Sequence, residues 1–370
     1  MSEFRLPLRE DLVGQNPYGA PQDKVIARLN VNENPFAPSQ ELRQALAAAV
    51  MECSAEINRY PDRDAEELRG ALSNYIVREA GISVPWEQIW VANGSNEVMS
   101  HIMSAFGGPG RVALTFAPTY SMYPEYARDS FTNLITIERA SDFTIDVDGA
   151  CEAIVANQPS LVLVASPNNP TGTETPLDAL RTLAKCAEHN NALLVVDEAY
   201  AEFRRDKEST AIKLLHQFPN VIVTRTMSKA FGFAGARVGY CLASSPAIIN
   251  ALMLVRLPYH LSAITQAVAI TALSMSGELA NQVEILRTER DALVQDLLDL
   301  NIQVVPSDAN FIYFGQFPNR HEIWQALFDQ GVLIRETGPE GWLRVSIGTP
   351  DENQLFIESM RNIMNSNPIL

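Results

Sequence analysis

The stretch Ala192-Leu193-Leu194-Val195-Val196-Asp197-Glu198-Ala199-Tyr200 decides the architecture. Five apolar residues run without a polar break, as in a strand buried on both faces of a parallel sheet, and a carboxylate and a phenol follow. Before it, residues 177–190 carry apolar side chains at three- and four-residue spacing, the pattern of a crossover helix. Outward from there the same alternation recurs. Strands at 89–92, 112–116, 134–137, 161–165, 221–225 and 237–242 join 192–197, with helices such as 97–106 between them. This is the signature of βαβ units, and it predicts an α/β fold with a mostly parallel seven-stranded sheet flanked by helices.

Beyond about residue 247 the pattern changes to long helical stretches, 263–273 and 277–300, followed by shorter strands at 311–314 and 342–347. That reads as a smaller α+β domain. The first 35 residues, punctuated by Pro17-Tyr18-Gly19 and Asn34-Pro35, have no period and read as an extended arm. The expected division is therefore an arm at 1–35 packing with the small domain, a large domain at 36–250 and a small domain at 251–370.

Composition narrows the function classes. Lys and Arg number 28 against 44 Asp and Glu, a net charge of −16 that opposes nucleic acid and anionic membrane surfaces. Hydrophobic residues make up 46% and charged ones 19%, which suits a folded globular protein. No apolar run approaches the ~18–20 residues that span a bilayer, and Met1-Ser2-Glu3-Phe4-Arg5 lacks a basic flank leading into an apolar stretch, so a cytoplasmic protein is expected. Cys53, Cys151, Cys186 and Cys241 are widely separated and read as buried thiols; the five histidines include no His-x-x-x-His pair. No metal site is expected.

Open parallel sheets bind ligands at the carboxyl ends of their strands. Three polar segments stand there: Ser166-Pro167-Asn168-Asn169-Pro170-Thr171-Gly172, Asp197-Glu198-Ala199-Tyr200 and Thr226-Met227-Ser228-Lys229, with Arg237 eight positions further on. Singly, each has a plain structural reading as turn chemistry, a helix cap or a solvated charge. Together they place a carboxylate, a phenol, an amide, an amine, hydroxyls and a guanidinium at one sheet edge, the set that pyridoxal 5'-phosphate requires. Lys229 would form the Schiff base and then act as general base and acid, and Asp197 would keep the ring nitrogen protonated. Asn169 and Tyr200 would donate to the ring's phenolic oxygen. Gly94, Ser95 and Asn96, with Thr226, Ser228 and Arg237, would take the phosphate, and Tyr120 would stack on the ring.

In this chain order Asn-Pro-Thr-Gly, Asp-x-x-Tyr and Ser-Lys followed by Arg resemble the fold type I pyridoxal phosphate aminotransferases, the lysine falling 32 positions after the aspartate. The resemblance covers the whole chain. Further segments are similar to one branch, the histidinol-phosphate aminotransferases: Leu29-Asn30-Val31-Asn32-Glu33-Asn34-Pro35-Phe36, Asn58-Arg59-Tyr60-Pro61-Asp62, Ala92-Asn93-Gly94-Ser95-Asn96-Glu97, 225–231 and 343–349. Asn96 stands where many relatives carry Asp, with little consequence expected, since the backbone N–H there would serve the phosphate.

The resemblance implies ping-pong transfer of an amino group from glutamate to imidazole acetol phosphate, giving histidinol phosphate and 2-oxoglutarate in histidine synthesis. It implies Arg335 and Arg344 as grips for the substrate's anionic groups, and Tyr18 and Asn30 as arm residues closing over the substrate. It also implies that Tyr60 reaches the cofactor phosphate of a second subunit, so that a homodimer shares its sites. His260 receives no role. Two other activities fit the same cofactor residues: an aromatic (phenylalanine) aminotransferase, and a decarboxylase acting on a phosphorylated amino acid.

Overall fold

A computed structural model describes residues 4, 6–17 and 19–366 of the chain. The arm carries a single 3-10 turn at Glu10–Leu12 and then a short strand, β1 (Ala27–Arg28). Helices α1 (Gln40–Ser54) and α2 (Glu66–Ala80) lead into the main sheet, whose strands are β2 (Ile89–Ala92), β3 (Val112–Ala117), β4 (Asn133–Glu138), β5 (Leu161–Ala165), β6 (Leu193–Asp197), β7 (Val221–Thr226) and β8 (Gly239–Ala243). Their order across the sheet is β2-β8-β7-β6-β5-β3-β4. Only β8 runs against its neighbours β2 and β7; the remaining pairs are parallel.

The apolar runs are buried because both faces of the sheet are covered. Leu194 and Val196 of β6 point into one core with Val162 and Val164 of β5, while Val195 points into another with Leu161 and Leu163. Side chains that alternate along a strand thus serve two helical layers, leaving no polar face. The intervening helices are α3 (Ser95–Phe106), α4 (Tyr123–Asp129), α5 (Val147–Asn157) and α6 (Leu177–His189).

Helix α7 (Pro246–Val255) spans residue 250 and α8 (Ala263–Ser274) lies past it, yet both pack on the first body, α7 against α3 and α8 against α1 and α2. The crossing comes in α9 (Gly277–Asp299), where Leu279 touches both cores and Leu286, Leu293 and Leu297 join the second. That second core lies against a four-stranded antiparallel sheet of β9 (Gln303–Val305), β10 (Phe311–Gly315), β12 (Arg335–Glu336) and β13 (Trp342–Ser346), ordered β12-β13-β10-β9. Helices α10 (Arg320–Asp329) and α11 (Pro350–Ser366) complete it, and β11 (Val332–Leu333) pairs in parallel with β1, fixing the arm to this body. Strand β1 is two residues long, too short for a period, and pairs through main-chain bonds with a strand about 300 residues away.

Two expectations need adjustment. Arg237 and Val238 precede β8 rather than opening it. Among the cysteines, Cys241 is buried but Cys53, Cys151 and Cys186 are only partly so. No helix among the described residues is long and apolar enough to cross a membrane.

Beneath the carboxyl end of β6 lies a buried ion cluster. Glu198 accepts from Arg204 Nη1 at 2.8 Å, Arg225 Nη2 at 2.8 Å and the Ala211 amide at 2.7 Å, and Arg225 Nη1 reaches Glu79 at 2.8 Å. Burial would push the Glu198 carboxyl up, but Arg204 and Arg225 outweigh it and hold it at about 2. Removing one partner of such a cluster leaves charge stranded, at a cost of about 3–5 kcal/mol. Glu198→Ala is therefore expected to lower stability by about that amount, read from the midpoint of urea unfolding; a loss below about 1 kcal/mol would show that the cluster does not clamp this strand end.

Candidate active site

Strand direction gathers the site. Gly239, the first residue of β8, is paired with both Ala92 at the end of β2 and Thr226 at the end of β7. The reversed strand β8 thus begins where its neighbours finish, and Arg237, two residues ahead of it, joins their carboxyl edge. Arg237 takes a left-handed turn, φ 56°, and its guanidinium lies over Gly94. Gly94 has φ +85°, a turn that calls for glycine, and a Cβ there would stand 2.6 Å from Arg237 Nη2, displacing the guanidinium. A side chain at Gly239 would run into the backbone of Gly94 and Ser95. The amino end of α3 and a guanidinium therefore share one place, a built anion cradle.

A cavity of about 280 Å³ opens at this edge. Ser95, Asn96, Tyr120, Asn169, Asp197, Tyr200, Thr226, Ser228, Lys229 and Arg237 line it, as do Asn30, Arg335 and Arg344. Gly94 sits behind Ser95, under Arg237. Tyr60 is not on the cavity wall of its own chain: it is 79% exposed and stacks on Tyr259 with ring centroids 4.4 Å apart. Tyr18 lies outside the described residues.

Asp197 is buried and accepts two hydroxyl hydrogen bonds, from Thr224 Oγ1 to Oδ1 at 3.0 Å and from Tyr123 Oη to Oδ2 at 3.1 Å. Burial raises its pKa and the two donors oppose the rise. Lys229 Nζ donates to the Val31 carbonyl at 2.9 Å. Burial first, then the charges of Arg344 and Arg237, bring the amine down to about 8 against the pull of Glu33. Two amides converge on the Tyr200 hydroxyl, Asn32 Nδ2 at 3.0 Å and Asn169 Nδ2 at 3.3 Å.

Arg344 connects the bodies: Nη1 donates to Asn169 Oδ1 at 2.6 Å and Nη2 to the Asn30 carbonyl at 2.7 Å. Its partner in register on the neighbouring strand is Arg335. Like charges placed directly opposite across two strands destabilise a sheet unless an anion lies between them, and both of these face the cavity. Tyr120 Oη donates to Asn96 Oδ1 at 3.3 Å.

Sequence reasoning missed Tyr123, Thr224 and Asn32. Each left a trace: Tyr123 is one helical turn after Tyr120, Thr224 shares a strand face with Thr226, and Asn32 sits inside a quoted motif. None of these traces says what the side chain touches.

A parallel sheet whose carboxyl edge presents a half-buried lysine, a carboxylate, a phenol and an anion cradle is the chemistry of an amino-group transferase. The family model described as "Aminotransferase class I and II" matches residues 24–360. A histidinol-phosphate aminotransferase of Thermobifida fusca is 53% identical over 96% of this chain and 95% of its own length. The histidinol-phosphate aminotransferase 3 of Burkholderia lata is also 53% identical, over 97% and 96%. The crystal structure of the Sinorhizobium meliloti histidinol-phosphate aminotransferase in complex with pyridoxal-5'-phosphate superposes with a TM-score of 0.84 at 25% identity, covering 98% of this chain and 99% of that one. The chain belongs to the class I and II aminotransferases and, within them, to the histidinol-phosphate aminotransferase family.

The lowered Lys229 amine has a measurable consequence. Only the neutral amine attacks a carbonyl, so in the apoprotein the rate of Lys229 trapping by pyridoxal phosphate and borohydride should rise with pH, half-maximal near 8 rather than near the ordinary lysine value of about 10.4. Arg344→Met removes a charge that lowers this pKa, and the midpoint should move upward. A midpoint unmoved by the change would show that Arg344 does not act on the amine.

Proposed function

We propose that this chain transfers the amino group of L-glutamate to imidazole acetol phosphate through pyridoxal 5'-phosphate, giving L-histidinol phosphate and 2-oxoglutarate in histidine synthesis, as a cytoplasmic homodimer with shared sites. The 53% identity with histidinol-phosphate aminotransferases over nearly the whole chain carries the substrate assignment, and the opposed pair Arg335 and Arg344 suits it. In a protein of net charge −16, two guanidinia in register face the cavity that holds Lys229, which suits a pocket that must admit a carboxylate in one half-reaction and a phosphate in the other.

The residues fit the cofactor. The donor set matches its phosphate, ring nitrogen and ring oxygen, and two cavity-lining residues, Asn30 and Thr119, keep buried oxygens with no partner among the described residues. When bound, the cofactor supplies an electron-withdrawing ring that stabilises negative charge at the substrate's reacting carbon.

In this reading the amino end of α3, with Ser95, Asn96, Thr226, Ser228 and Arg237, holds the cofactor phosphate. Asp197 keeps the proton on the ring nitrogen, Tyr200 Oη and Asn169 Nδ2 donate to the ring oxygen, and Tyr120 covers the ring face. Lys229 Nζ leaves the Val31 carbonyl and carries a proton from and to the substrate's carbon. Arg335 and Arg344 grip the anionic end of either substrate, with Asn30 beside them. Tyr18 is assigned to the arm's closure over the substrate.

The dimer reading is supported by Tyr60, 79% exposed, near whose stacking partner Tyr259 the chain exposes Leu254 (86%) and Leu257 (77%). Tyr60 would complete the phosphate site of the second subunit. Hybrids of Tyr60→Phe with Lys229→Ala test this: one kind of site should be intact and the other doubly impaired. Uniform impairment of all sites would place Tyr60 in its own chain's site.

Titrating the holoprotein with single substrates tests the assignment. Histidinol phosphate and glutamate should each convert the cofactor to its amine form at concentrations far below those needed for phenylalanine, and threonine phosphate should not be decarboxylated. Equal or better conversion by phenylalanine would make the enzyme an aromatic aminotransferase. Lys229→Ala should abolish turnover, and Asp197→Asn should lower it roughly 10²-fold or more with a much smaller loss of cofactor affinity.

A further inference from the structure

Asp197 and Glu198 are adjacent, both buried, and treated in opposite ways. Glu198 is ion-paired with Arg204 and Arg225 at 2.8 Å each. Asp197 forms no ion pair among the described residues, and its side-chain donors are the neutral hydroxyls of Thr224 and Tyr123, one on each oxygen. Neutral donors fix the plane of a carboxylate without cancelling its charge, which stays available to a cation arriving from the cavity.

Tyr123 is fully buried and does not line the cavity. Within its apolar core its ring also packs against Tyr120, edge to face, centroids 5.8 Å apart at 87°. The residue that meets the cofactor's ring nitrogen and the residue that covers its ring face therefore rest on one side chain. Burial and the Asp197 charge raise the Tyr123 phenol far above its ordinary value, so it remains protonated and donates across the working pH range.

Resting on the pyridoxal phosphate reading above, we propose that Tyr123 is a positioning residue for the cofactor ring: its hydroxyl orients the ionised Asp197 toward the ring nitrogen, and its ring edge sets Tyr120. The residue acts wholly through these two neighbours. Thr224 supplies the matching donor on the other oxygen.

A double-mutant cycle on cofactor affinity tests it, read from quenching of apoprotein fluorescence by pyridoxal phosphate. Tyr123→Phe keeps the ring edge and removes the hydroxyl, and should weaken binding about fivefold through the lost orientation of the carboxylate. In an Asp197→Ala background the same change should weaken binding less than about twofold. Thr224→Val should repeat the pattern and carries the cycle if Tyr123→Phe does not fold.

Two results would overturn the inference. One is an equal loss in both backgrounds, the mark of a structural role; the other is no loss when Tyr123→Phe is made in the otherwise wild-type protein. A wild-type protein that shows no cofactor absorbance with pyridoxal phosphate would instead defeat the pyridoxal phosphate reading itself.

Discussion

The structure depends on keeping a negative charge buried at the end of a parallel strand without pairing it. Asp197 lies where β6 leaves the sheet, at the wall of the cavity, and burial raises its pKa. Two hydroxyls and the geometry of the strand end keep it oriented. The charge that could have neutralised it from below is spent on Glu198, whose arginines are turned away from the cavity by one step along the backbone. Period two in a strand does this: consecutive side chains take opposite sides, so one carboxylate anchors the fold and its neighbour serves the ligand.

At the cavity the two bodies are joined by main-chain and amide contacts, beside the apolar packing of Tyr200 and Phe203 on the second core. Asn32 illustrates the joint. Its amide donates to Tyr200, its backbone N–H donates to Ser346 Oγ at 2.8 Å, and its carbonyl accepts from Asn310 Nδ2 at 3.1 Å. The preceding residues are bound in the same way, Val31 to Lys229 and Asn30 to Arg344. A strap of three residues thus connects the main sheet, the antiparallel sheet and the arm, and a shift of the second body would be felt at the amine and at the guanidinium together.

Much of this was legible in the order of residues. Unbroken apolar runs gave the strands of the main sheet nearly to the residue, because a strand buried on both faces has no polar face to obscure it. The polar residues after β5, β6 and β7 marked the site because parallel strands all end at one edge. Arg237 lines the cavity, but the sequence pattern placed it in a strand, since a left-handed turn at a non-glycine residue leaves no pattern in sequence. Strands β1, β11 and β12 are two residues each, too short for any period, and exist through pairing with distant partners.

The sequence by itself determined the layered α/β architecture and the inventory of chemical groups at its edge, since periodicity and residue type depend only on neighbours along the chain. The tertiary structure alone decided how those groups face one another. Reversal of β8 brings Arg237 to Gly94, register across β12 and β13 sets Arg335 against Arg344, and packing of α4 carries Tyr123 to Asp197. Each of these contacts joins residues that only a folded sheet brings together, where the angle and depth of burial, and so the charge each group can hold, are fixed by the fold rather than by spacing.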